Sequence, residues 1–340
     1  MTTQNAAIST TFTRLLAERP VLIADGGMGT SLFALGMEAG ACPELLNVED
    51  PELIRIAHRG FLDAGCDIIL TNTFGGTRRR LGLHKLEDRV AELNLAATSI
   101  LGDLTAQYDR PIAIAGSVGP TGDLFVPLGP LDHETAVAAF TEQMDALVEG
   151  GVDVLWIETL SSRDELDAAY EAALGYGLPI VTTMSFDTNG YTMMGFSPQD
   201  LAVWSRSQAV APAAVGANCG VGAGDVIVAV QELAQARPNV AIVSKANCGL
   251  PAYTEGHLDY PHGPETMVDY VELAMRAGAR IVGACCGSTP DHIAAILEAA
   301  NRYRAAELIT REEIAQRLWL QQRPTADPAT RRTRRRRRAS

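Results

Sequence analysis

Eight short apolar runs recur along this chain, each closing on a polar residue or a glycine, with helix-patterned stretches between them. The first is Val21-Leu22-Ile23-Ala24, ending at Asp25-Gly26-Gly27; the others span 67–74, 111–119, 152–159, 179–186, 214–218, 240–246 and 280–284. Unbroken apolar runs mark strands covered on both faces, as in a parallel sheet wrapped by helices. Helical spacing is read at 10–18, 51–64, 86–108, 133–149, 162–174, from Pro198 onward, and at 225–236, 265–277 and 290–303. Ser162 with Glu165 three residues on forms a capping box, and Pro290 sits at a first helical turn.

Eight strands alternating with helices over about 290 residues is the count of an α/β (β/α)8 TIM barrel. A doubly wound sheet is the competing arrangement, and it would gather function at one switch point. Here the polar residues are spread over many strand ends: Asp25, Thr73, Glu158, Cys219, Asn247 and Cys285-Cys286. That distribution favours the barrel, whose sites lie at the carboxyl ends of its strands.

A chain of 340 residues with 47% hydrophobic content has ample core. No apolar run approaches the ~18 residues of a membrane span, so no membrane association is expected. Residues 1–13 lack the basic-then-apolar pattern of a secretory signal, so a cytoplasmic protein with reduced thiols is expected. Seven of the 28 basic residues lie in Arg331-Arg332-Thr333-Arg334-Arg335-Arg336-Arg337-Arg338, so the rest is more acidic than the total of −13. An acidic body repels nucleic acid and attracts small cations, which points to a small-molecule enzyme. We read 1–320 as one barrel and 321–340 as an Arg-rich, disordered and solvated tail. Homo-oligomerisation is left open.

The pair Cys285-Cys286 needs a chemical account. Adjacent thiols can be packing residues or a strained vicinal disulfide. Two thiolates on one loop can also join a third ligand to hold zinc with an open position, and Cys219 at the end of the sixth strand supplies one. Three thiolates leave the complex near a charge of about −1, which disfavours hydroxide generation and suits a substrate thiolate whose sulfur stays electron-rich. Asp25 and Glu158 would attract an ammonium group or a cationic donor; their bland readings are a turn cap and an arginine partner. Cys248 is read as packing, and Cys42 and Cys66 carry no assigned role. His58, His84, His133, His257 and His262 are read as surface residues. Lys245 would be a Schiff-base candidate only if it faced the barrel interior. The loop 249–264 is long enough to cover the site.

The motifs Asp25-Gly26-Gly27-Met28-Gly29-Thr30, Thr71-Asn72-Thr73-Phe74, Ser117-Val118-Gly119-Pro120-Thr121-Gly122, Glu158-Thr159, Asn218-Cys219, Asn247-Cys248-Gly249-Leu250-Pro251 and Cys285-Cys286-Gly287-Ser288 resemble the zinc-dependent homocysteine S-methyltransferases. The resemblance implies a zinc-held homocysteine thiolate that displaces a methyl group in line to give methionine. It implies Cys219, Cys285 and Cys286 as zinc ligands and as the catalytic set. Asp25, Gly26, Gly27, Thr73, Phe74, Glu158 and Asn247 would bind substrate, with Asn247 a weak ligand or orienting group. The partners implied are homocysteine and a small cationic methyl donor. Betaine is the first choice, since free-standing chains with such a tail resemble the bacterial betaine enzymes. S-methylmethionine, dimethylsulfoniopropionate and a methylcorrinoid on a separate partner are the alternatives. Gly75 stands where animal betaine enzymes place a tyrosine, so Phe74, Phe125, Trp156 and Tyr191 are candidate substitutes for an aromatic donor cage. The rival of another class is a non-catalytic zinc or redox-sensing protein, which would not need the strand-end carboxylates.

Overall fold

Strands β1 (Leu22–Ile23), β2 (Ile68–Leu70), β3 (Ala113–Val118), β4 (Val154–Leu160), β5 (Ile180–Met184), β6 (Ala214–Cys219) and β7 (Ala241–Ala246) each fall on one of the apolar runs, with β4 and β6 reaching one residue past it. The structure, a computed structural model, describes residues 8–320 apart from 255–256, 305–306, 308 and 319, so the Arg-rich tail lies outside the described residues. Beyond β7 a small antiparallel hairpin, β8 (Ala252–Thr254) and β9 (His257–Asp259), precedes the eighth barrel strand, β10 (Ile281–Ala284). The barrel strands run in the order β1-β10-β7-β6-β5-β4-β3-β2, all pairs parallel. A bridge from Ala24 to Ile68 joins the two ends into a (β/α)8 barrel.

Alternation along the strands sorts side chains between two cores. Leu22, Ala24, Ile68, Leu70, Val154 and Trp156 belong to the cluster inside the barrel, while Ile23, Ile69, Leu155 and Ile157 pack outward against the helices. Phe12 and Leu15, from the helix Thr11–Glu18, join the inner cluster and close the barrel's amino end. Thr10 caps that helix, and the Thr11 amide donates to Asp153 at 2.9 Å, which ties the plug to the foot of β4. The barrel is therefore filled from its amino end.

Some expectations are corrected. The predicted helix 86–108 is a 3-10 turn, Glu87–Arg89, followed by Val90–Thr105. The glycine-rich segment after β1 starts a helix at once, Met28–Ala34. His58 is not a surface residue: it shares a helix face with Ile54, Phe61 and Leu62, three and four positions away, and is wholly buried. Neither ring nitrogen has a hydrogen-bond partner among the described residues, and burial pushes its pKa down to about 3.

A histidine held neutral in the fold but free to protonate when unfolded stabilises fully above its unfolded pKa. That contribution is lost as pH falls from near 6.5 toward 3. His58→Leu should remove this term. Between pH 7 and pH 5 the wild-type chain should lose roughly 2 kcal/mol more unfolding free energy than the variant, read from urea midpoints. Equal losses would show that His58 titrates in the fold.

Candidate active site

Cys219 is the last residue of β6, and Cys285 and Cys286 follow β10 directly. The three sulfur atoms lie within 4.8 Å of one another. Their convergence is built by the backbone. The Cys285 amide donates to the Ala246 carbonyl at 2.8 Å, and the Cys248 amide to the Cys286 carbonyl at 3.0 Å, so the two strand ends are laced together. Asn247 bridges the thiol-bearing loops: its Oδ1 accepts from the Cys286 amide at 2.9 Å, and its Nδ2 donates to the Gly220 carbonyl at 2.8 Å and to Cys219 Sγ at 3.5 Å. Cys219 takes a left-handed backbone, φ 60°, and so does Thr159, φ 62°. Asn218 links them, accepting from the Thr159 amide at 3.0 Å and donating to its hydroxyl at 2.7 Å. Such backbone costs a residue with a Cβ on the order of 1 kcal/mol and concentrates at functional sites.

The thiols suit a tetrahedral cation, whose sulfur ligands at about 2.3 Å stand about 3.8 Å apart. Without one they oppose each other's ionisation: the Cys285 thiol is held well above its usual range by its hydrogen bond with Cys219 and by burial. No disulfide links any of the six cysteines, and Cys248 is fully buried in the outer core, its sulfur no member of the three-sulfur group.

Beside the thiols lies a charged layer. Asp25 Oδ1 accepts from Lys245 Nζ at 2.8 Å and Oδ2 from the Leu70 amide at 2.8 Å. Lys245 faces the barrel interior, with its Nζ 5.7 Å from the Trp156 ring centroid. Burial works against its charge but is outweighed by Asp25 and Glu158, so it stays an ammonium and serves as a counter-ion, not as a Schiff-base nucleophile. Glu158 accepts from Ser117 Oγ at 2.6 Å, and burial raises its pKa. Among the described residues neither carboxylate is paired with an arginine or caps a turn, as their bland readings would have had it.

Gly26 and Gly27 permit a close approach: a Cβ at Gly26 would lie 2.3 Å from Ser288 Oγ, and one at Gly27 would lie 2.6 Å from the Cys285 carbonyl oxygen. Ser288 Oγ accepts from the Gly27 amide at 2.9 Å and donates to the Cys285 carbonyl at 2.7 Å, which fixes the thiol loop to the first strand. Thr73 is buried, and its hydroxyl donates to the Ser117 carbonyl at 2.7 Å, within the barrel wall. Phe74 and Tyr191 are exposed on the loops after β2 and β5. Trp156 is wholly buried under Lys245, so it offers no surface to a donor cage. From the loop after β7, Tyr260 packs over Gly287 beside Cys286. The partnerships of Lys245 with Asp25 and of Ser117 with Glu158 had no local signal, because each joins residues far apart in the chain.

Fold and site together define a (β/α)8 barrel with a three-thiol centre, competent for a metal ion, at its open end. Residues 22–300 match the profile of the homocysteine S-methyltransferase family, and the chain belongs to that family. It is 29% identical over 315 residues to the methionine synthase of Mycobacterium tuberculosis, covering 86% of this chain and 26% of that one. To the Mycobacterium leprae methionine synthase it is 29% identical over 309 residues, covering 84% and 25%. The chain thus spans about a quarter of the length of these curated relatives. Among solved structures it resembles the homocysteine methyltransferase MmuM from Escherichia coli. The oxidized form superposes with a TM-score of 0.71 at 25% identity over 86% of this chain and 100% of that one. The metallated form does so with 0.71 at 24% over 84% and 98%. No helix among the described residues is long and apolar enough to cross a membrane.

Proposed function

We propose that this chain transfers a methyl group from betaine, or a related onium compound, to the thiol of L-homocysteine, giving methionine. The observation that supports it is the junction of three convergent thiols with two buried carboxylates inside one barrel mouth. Cys219, Cys285 and Cys286 would hold zinc, which when bound keeps a substrate thiol ionised at neutral pH without draining its sulfur of electron density. Asn247 and Ser288 orient the cysteine loops. Glu158 takes the ammonium end of the amino acid. The homocysteine sulfur forms its bond to the methyl carbon as the carbon–nitrogen bond of betaine breaks, with the electron pair staying on nitrogen, so dimethylglycine leaves. A reducing cytoplasm would keep the cysteines available as ligands.

A second reading follows from the relatives, which are methionine synthases about four times as long: the methyl group would come from a methylcorrinoid carried by a separate partner. The deciding assay follows methionine formation from homocysteine with betaine, S-methylmethionine, dimethylsulfoniopropionate and a methylcorrinoid side by side. Betaine is expected to give the highest kcat/KM, by about tenfold or more over the others. Turnover with the methylcorrinoid alone would move the donor assignment to the second reading. No turnover with any donor would overturn the proposal.

A further inference from the structure

Each of the three sulfur atoms has a hydrogen-bond donor of its own, from a different residue. Asn247 Nδ2 donates to Cys219 Sγ at 3.5 Å, Asn218 Nδ2 to Cys285 Sγ at 4.0 Å, and the Tyr260 hydroxyl is the partner of Cys286 Sγ. Fixed neighbours decide which way both amides point. Asn247 Oδ1 is held by the Cys286 amide at 2.9 Å, and Asn218 Oδ1 by the Thr159 amide at 3.0 Å and the Thr183 hydroxyl at 2.8 Å. In each residue the NH2 group is therefore the end turned to sulfur. Tyr260 is held by its surroundings too. Its ring lies on Gly287, where a Cβ would stand 2.1 Å from the ring's Cγ, Pro261 packs on Gly249, and the His262 amide donates to the Cys248 carbonyl at 3.1 Å. A phenol is protonated at neutral pH and a metal-bound thiolate carries no proton, so the hydroxyl is the donor. Asn247 gives its second amide proton to the Gly220 carbonyl at 2.8 Å, Asn218 gives its own to Thr159 Oγ1 at 2.7 Å, and Tyr260 has only one. None of these donors has a proton left for a fourth sulfur.

We propose that Asn247, Asn218 and Tyr260 are positioning residues that lower the nucleophilicity of the cysteine sulfurs, so that a donated methyl group goes to the substrate thiol and not to the protein. The inference rests on the homocysteine reading, in which three cysteine thiolates and the substrate thiolate share one ion and each is a nucleophile. A hydrogen bond to a thiolate stabilises its charge and weakens as sulfur passes that charge to a forming bond, so it raises the barrier to attack. Methylation of Cys286 would join its Sγ to the methyl carbon as the donor's bond to that carbon breaks, with the electron pair leaving on the donor. The product is a neutral thioether, and the centre would lose one of its three thiolates. Of the three donors, the Tyr260 hydroxyl is the one that can be removed without breaking a link to the backbone.

The test treats the zinc-loaded full chain with methyl iodide, an electrophile that needs no donor site, and follows methylation of each cysteine by peptide mass spectrometry. Zinc content is measured alongside. Tyr260→Phe keeps the ring on Gly287 and removes only the hydroxyl. It should methylate Cys286 about fivefold faster than the wild type, with Cys219 and Cys285 changed by less than about twofold. An unchanged rate at Cys286, or an equal rise at all three cysteines, would overturn the inference, because the ring would then be a cover and the hydroxyl idle. Loss of zinc from Tyr260→Phe would overturn it too, since the hydroxyl would be holding the site together instead of moderating one sulfur. With L-homocysteine added to the wild type, methyl iodide should yield methionine before any of the three cysteines is modified. A cysteine methylated as fast as homocysteine would count against the inference in the same way. Homocysteine methylated no faster than in buffer alone would overturn the homocysteine reading itself, and the comparison of the two chains without it would still stand.

Discussion

Cys286→Ser should lower bound zinc from one equivalent per chain to less than about a tenth, with methyl transfer lost alongside it. Two thiolates and a hydroxyl that stays protonated near neutral pH are a poor donor set for this ion, and Asn247 already directs both its polar atoms to the cysteine loops. The same outcome is expected for Cys219→Ser, since the three sulfur atoms form one group. Cys248→Ser is the informative control. Cys248 follows Asn247 directly and is fully buried, yet it stands outside that group. It should keep a full equivalent of metal even if the extra hydroxyl in an apolar setting lowers stability. Metal analysis after exhaustive dialysis reads all three variants. A full equivalent retained by Cys286→Ser would end the ligand assignment, whatever happened to turnover.

The barrel was legible because its strands are buried on both faces, which writes them as unbroken apolar runs such as 154–157. That same property hid the direction of each side chain. In a run like Val154-Leu155-Trp156-Ile157, every residue is apolar, so nothing in the sequence says that Val154 and Trp156 point inward. Trp156 could therefore stand as a donor-cage candidate until the fold placed Lys245 over its ring. His58 was misread for a related reason: a single polar residue on an amphipathic helix looks exposed unless its spacing from Ile54, Phe61 and Leu62 is weighed above its type. The cysteines were legible because strand-end position and glycine flanks are local signals. The ion pair was not, since Asp25 and Lys245 are 220 residues apart. Only closure of the barrel, through Ala24 and Ile68 on one side and β10 on the other, brings them together.

Lys245→Met should produce a large stability loss. Removing one partner of a buried ion pair leaves the other charge uncompensated, at a cost of about 3–5 kcal/mol. For a chain of this size that corresponds to a fall in Tm of roughly 5 °C. Asp25 has no alternative cation among the described residues, and its remaining donor, the Leu70 amide, offsets only part of the charge. Because the ammonium's pKa is raised in the fold, the lysine's contribution is complete below the unfolded value of about 10.4 and is lost as pH climbs through the raised one; burial raises the Asp25 pKa even beside Lys245, so on the acid side the pair is lost as Asp25 protonates. The deficit of the variant should therefore be present throughout the neutral range. Adding Asp25→Asn should recover most of it, since a neutral amide still accepts from Leu70 and two neutral residues replace a pair whose desolvation was costly. Thermal melts of the wild-type, single and double variants at pH 7 give the comparison. If the single variant melted within about 2 °C of the wild type, Asp25 would not depend on Lys245 for its place in the fold.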